Sequence, residues 1–218
     1  MICVITAPID LANYIDVWNL RQRHPSEHVC HIDWGDLSGI GSGETLYLLG
    51  HGSPDALERK NAEEMAKLLV SKGLTNKVRP KKIKLLVCAS GLVKNGGGPY
   101  CQQLADKLVA NGGPATVVIG FDGDSAVTDS TATTWAKDRK QSTYPKWSDF
   151  TTKFGSNMQA WDDQAEKMPY KTEQQIIDNA AKLYAMSKDA FEWLYANNKL
   201  YTKPKLVGKT YGIAGQSI

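Results

Sequence analysis

Apolar positions along this chain alternate between two rhythms as far as Phe121 and keep to a single one afterwards. Ile2 to Ala7 is a short apolar run of strand size. Leu11 to Arg23 follows at helical spacing, with Leu11, Tyr14, Ile15, Trp18 and Leu20 on one face. A Gly- and Ser-rich loop, Gly35 to Gly43, leads into a strand that ends at His51. Asn61 to Ser71 reads as a helix: Ala62, Met65, Ala66 and Leu69 share a face, and Asn61 with Glu64 forms a capping box. A second apolar run ends at Cys88, and a helix from Tyr100 to Ala110 stops at Asn111-Gly112-Gly113-Pro114. Ala115 to Phe121 is a β-branched run and a further strand. Strands alternating with short helices predict βαβ units and a mainly parallel α/β sheet.

From about Pro145 the rhythm is helical throughout. Trp147, Phe150, Phe154, Met158 and Trp161 recur at steps of three and four. Ile176 to Tyr195 continues as one long helix or two short ones. The expected division is therefore an α/β domain over 1–140 and a helical extension packed on it over 141–218, with the tail from Lys203 to Ile218 an edge strand or a loop.

Two strand ends carry the chemistry. Leu46-Tyr47-Leu48-Leu49-Gly50-His51-Gly52-Ser53 stops at an imidazole, and Ile83-Lys84-Leu85-Leu86-Val87-Cys88-Ala89-Ser90-Gly91 stops at a thiol. A right-handed crossover makes such strands parallel and often adjacent, about 4.8 Å apart, so both groups emerge at the same sheet edge. Ligands of open α/β sheets bind there. A thiol beside an imidazole ionises near neutral pH and attacks carbonyls, and the imidazole then protonates the leaving group. Gly52 clears room for a substrate backbone, and its N–H, with that of Cys88, can face a developing oxyanion. Asp33, Asp55 and Asp122 are the candidates for orienting the imidazole, and none is singled out.

Composition narrows the partners. The 218 residues carry a net charge of +3 with no arginine-rich stripe, which gives no electrostatic footprint for nucleic acid. No apolar run is long enough for a membrane span, and Met1 to Thr6 lacks the features of a signal peptide. A cytoplasmic setting is expected, or export by a specialised system that needs no signal peptide. Four cysteines in a chain this long do not form a disulfide framework. Cys3 and Cys101 read as small core hydrophobes. His24, His28, Cys30 and His31 match no common zinc spacing and read as a polar loop entering a strand. The glycine runs Gly39 to Gly43 and Gly96 to Gly98 lack the phosphate-loop ending, so no metal and no cofactor are expected.

An apolar strand ending in His-Gly, followed by one ending in Cys-x-Ser-Gly, resembles the active-site blocks of the caspase-like (clan CD) cysteine peptidases. That group takes in caspases, metacaspases, legumains and the self-cleaving domains of bacterial toxins. The resemblance covers Met1 to Ala126 and implies a caspase-like fold, with His51 as general acid/base, Cys88 as nucleophile and Gly52 N–H as oxyanion donor. Ser53, Leu86 and Ser90 then line the substrate site. Metacaspases and legumains commonly carry an acid two positions before the cysteine, where this chain has Leu86. That departure argues against Arg or Lys specificity and points to the toxin domains, which prefer leucine and are activated by inositol hexakisphosphate. The cluster Arg79, Lys81, Lys82 and Lys84, with Lys203, Lys205 and Lys209, is either a site for such a polyanion or a set of solvated lysines. The expected function is a cysteine endopeptidase acting on a protein or peptide, of effector or toxin type. The rival readings are a non-catalytic binding module of the same fold and another thiol-dependent hydrolase or acyl transferase.

Overall fold

The computed structural model describes residues 1–93, 98–121, 123–127, 134–138, 147–197 and 208–211. Five parallel strands form the centre: β1 (Ile2–Val4), β2 (Val29–His31), β3 (Thr45–Leu49), β4 (Lys82–Leu86) and β5 (Val117–Phe121). They lie in the order β2-β1-β3-β4-β5. A hairpin of two strands, β6 (Gly123–Val127) and β7 (Thr134–Asp138), stands apart as its own small sheet. The last strand, β8 (Gly208–Tyr211), returns antiparallel beside β5, which makes the edge-strand alternative for the tail the observed one there.

Helices cover both faces because the strands are apolar on both. On one face α2 (Ala62–Ser71) and α3 (Tyr100–Ala110) bury Met65, Leu69, Leu104 and Leu108 against Leu46, Leu48, Ile83 and Leu85. On the other, α1 (Leu11–Arg23), α4 (Trp147–Ala165) and α5 (Glu173–Asn197) pack against Ile2, Val4, Leu49 and Leu86. The chain is thus an α/β protein of three layers. Residues on both sides of position 140 share the second core, since Ile176, Ala180 and Leu183 meet Ile15 and Leu20 within it. The long helical pattern resolves as a single α5, tied to α1 by stacking of Trp18 on Tyr184 at 5.5 Å. No helix among the described residues is long and apolar enough to cross a membrane.

The connections decide where a site can form. From β1 the chain goes through α1 to β2 on one side, whereas β3 lies on the other side of β1. Between the C-terminal ends of β1 and β3 the strand order therefore reverses, and ligands bind in the crevice this leaves.

Candidate active site

His51 stands two residues beyond β3 and Cys88 two residues beyond β4, and Leu49 and Leu86, which close those strands, are register partners. Both chains thus run past the sheet edge side by side. A direct measure of their closeness comes from Gly52. A Cβ placed there would lie 2.1 Å from Val87 Cγ1 and 3.3 Å from the Cys88 carbonyl oxygen. Only glycine lets the His51 segment lie this near the Cys88 segment. The Gly52 N–H has no partner among the described residues, because the flanking bonds, Glu58 N–H to His51 O at 2.9 Å and Ser53 N–H to Ala56 O at 2.9 Å, bypass it.

After Cys88 the backbone turns sharply. Ala89 has φ 58, a left-handed conformation that residues with a Cβ rarely adopt, and its side chain is buried. Strain of this kind concentrates where a turn must aim a neighbouring group. Cys88 is the one cysteine of the four that is only half-buried; Cys3, Cys30 and Cys101 are core residues, as their settings in the sequence suggest for Cys3 and Cys101.

The imidazole is held by a carboxylate that the sequence did not single out. His51 Nε2 pairs with Asp10 Oδ2, in the loop between β1 and α1. The other Asp10 oxygen caps α1, accepting the Asn13 backbone N–H at 2.8 Å and its side-chain amide at 2.9 Å. Asn13 continues to Thr6 Oγ1 at 3.2 Å, and Thr6 donates to Glu58 Oε1 at 2.6 Å. Glu58 Oε1 also accepts the His51 backbone N–H at 2.5 Å, which closes a polar ring around the switch point. The hydrogen bond to Asp10 raises the His51 pKa above its ordinary value against the opposing effect of burial, with the charges of Asp10, Glu58 and Asp162 adding to it. Burial pushes the Asp10 carboxyl up, but the bonds from His51 and Asn13 outweigh it and leave it below the usual carboxylate range.

The expected orienting acids do other work. Asp33 N–H donates to His31 Nδ1 at 3.2 Å and its carboxylate faces the same ring, while Asp55 lies in the exposed turn that Ser53 caps. Asp122 lies outside the described residues. Two assigned substrate contacts need correction as well. Leu86 is 2 % exposed and packs toward α1 and α5, so its side chain has no free surface to offer. Ser90 is fully buried, its hydroxyl donating to Val87 O and accepting the Phe121 N–H, both at 3.1 Å. It fastens the Cys88 turn to β5 instead of meeting a substrate. Ser53 remains at the mouth, its hydroxyl accepting the Asp55 and Ala56 amides.

The histidine-rich stretch holds no metal cluster among the described residues. His31 Nε2 bonds Thr6 O at 2.9 Å, His24 meets the Tyr47 hydroxyl at 3.1 Å, and His28 faces Glu173. Arg79, Lys81, Lys82 and Lys84 sit at the start of β4, the edge opposite to His51. Lys203 and Lys205 lie outside the described residues. No protein-family model matches the chain, and neither does any curated protein.

Proposed function

We propose that this chain is a cysteine endopeptidase of the caspase-like kind, with Cys88 as nucleophile, His51 as acid/base and Asp10 as the residue that positions His51. The observation that carries this reading is the closed arrangement at the sheet edge. A carboxylate-bound imidazole after β3 lies in a segment pressed through Gly52 against the segment bearing Cys88.

The chemistry follows from the groups at hand. With Nε2 committed to Asp10, Nδ1 is the nitrogen of His51 left to take the thiol proton. A raised imidazole pKa favours the thiolate–imidazolium pair. The Cys88 sulfur bonds to the scissile carbonyl carbon, and the oxyanion that forms accepts the Gly52 N–H. The imidazolium passes its proton to the amide nitrogen, and the C–N bond breaks to release the amine. Water, deprotonated by His51, then hydrolyses the thioester and restores the thiol. The protein or peptide substrate, the effector- or toxin-type role and the cytoplasmic or signal-independent setting belong to this proposal.

The test compares wild type with Cys88→Ala, His51→Ala and Asp10→Asn against mixed peptide pools, with cleavage read by mass spectrometry. Cys88→Ala and His51→Ala should abolish cleavage, and Asp10→Asn should lower it by roughly 10²–10³-fold, within the 10²–10⁴ that acid–base catalysis contributes. Cleavage that survives Cys88→Ala would sink the reading.

A further inference from the structure

The His51 side chain is 61 % exposed, whereas that of its partner Asp10 is only 16 % exposed. Neighbours therefore restrain the ring little by packing, and the bond to Asp10 sets its direction. Whatever fixes Asp10 fixes the imidazole.

Asp10 is the N-cap of α1, with extended backbone at ψ 173. The first amides of a helix have no carbonyl within the helix to bind. Asp10 Oδ1 takes the Asn13 N–H at 2.8 Å. The Leu11 N–H is taken from outside the helix, by Asp162 Oδ1 of α4 at 3.0 Å. That amide belongs to the peptide that directly follows Asp10, and its direction is set by the Asp10 ψ angle. The Asp162 bond thus holds the one backbone rotation that swings the Asp10 carboxylate relative to α1. Such a bond to an ionised acceptor is stronger than one between neutral groups.

α4 can place Asp162 because its inner face is anchored. Met158, Trp161 and Ala165 recur at steps of three and four and pack into the core shared with α1. Asp162 stands four residues after Met158, on the same side of the helix. Among the described residues, the charged groups that face His51 are Asp10 from the β1–α1 loop, Glu58 from the 58–60 loop and Asp162 from α4. All three are carboxylates, and opposite charge of this kind favours imidazolium.

We propose that Asp162 is a positioning residue for the acid/base: by holding the Leu11 amide it aims the Asp10 carboxylate at His51, so the C-terminal helical layer completes the site. As a role in catalysis this rests on the peptidase reading above.

The test follows the His51 ring signals by NMR through a pH titration and, in parallel, cleavage of mixed peptide pools. Asp162→Ala should lower the His51 pKa toward its ordinary value and move the upper limb of the pH–cleavage profile to lower pH. Cleavage should fall by up to about 100-fold, the cost of misplacing a catalytic group by about 1 Å. Asp162→Asn keeps a side-chain oxygen for the Leu11 amide and should restore most of both. In an Asp10→Asn background, Asp162→Ala should change cleavage by less than about twofold, because its effect passes through Asp10. Asp163→Ala, at the exposed next position where Gln159 binds the carboxylate at 2.8 Å, should match wild type. In wild type the Leu11 amide should exchange slowly with solvent, a check that holds even where the alanine variant does not fold.

A His51 titration unchanged by Asp162→Ala overturns the proposal, as does full additivity with Asp10→Asn or an unprotected Leu11 amide. So does an asparagine variant as impaired as alanine, which assigns the effect to charge alone. The two readings fail separately. Cys88-dependent cleavage indifferent to Asp162 removes only the positioning role, whereas a His51 pKa that answers to Asp162 in a protein that cleaves nothing removes only the peptidase.

Discussion

Asp10 serves two structures with one carboxylate, and its titration gives a test at the scale of single residues. His51 has a raised pKa, so its pairing stabilises the fold fully below about pH 6.5, its ordinary value, and this is lost as pH climbs through the raised folded value. Asp10 has a lowered pKa, so its share is fully present above about pH 4 and is lost as pH falls through the lowered folded value. The pair therefore contributes most between about pH 4 and 6.5. Melting temperatures measured across pH should show this extra stability in wild type and a flatter profile in Asp10→Asn, and an unchanged profile would contradict the pairing. His51 and Cys88 were legible because each ends an apolar run. Asp10 was not, because it reads as one more polar residue in a loop between strand and helix. Ser90 misled for a related reason: its hydroxyl partner, the Phe121 amide, lies 31 positions further on.

Helices were the most legible elements, since their spacing, starts and stops are written locally. α1 and α3 span Leu11–Arg23 and Tyr100–Ala110, the bounds their patterns predict. Gly112, at φ 80, ends α3 in the left-handed turn its glycines suggest. The capping box of α2 is formed on both sides: Glu64 N–H donates to Asn61 Oδ1 at 2.9 Å, and Asn61 N–H to Glu64 Oε2 at 3.0 Å. Asn61→Ala should cost about 1 kcal/mol of unfolding free energy in a urea titration and leave the fold intact, the usual loss for such a cap. Strands were located well but drawn too long: the run to Ala7 pairs only over Ile2–Val4. The hairpin of β6 and β7 was missed, because Gly123–Val127 lacks a run of β-branched residues and reads as a loop.

For the whole molecule, the C-terminal helices are one layer of a shared core. Leu183 is fully buried on α5 within the cluster that holds Ile2 and Leu86. Leu183→Ala should therefore destabilise the protein by about 2–5 kcal/mol, as cavities in shared cores do. It should also shift one cooperative melt without splitting it. Two separate transitions in calorimetry would show instead that the helical half folds alone. The same packing sets the candidate site, because α1 in one layer carries the Asp10 cap while β3, in the sheet beneath it, delivers His51.

The sequence by itself determined the α/β alternation, the helix bounds, the capping box and the placing of His51 and Cys88 just past two strand ends. Each of these is written in residues close together in the chain, where spacing and local hydrogen bonding decide the outcome. Only the tertiary structure decided that Asp10 holds His51, that Ser90 and Leu86 are interior, and that Asp162 meets the start of α1. Those facts join residues far apart in sequence, and a carboxylate or hydroxyl shows no preference for a distant partner until strand order brings it within hydrogen-bond reach.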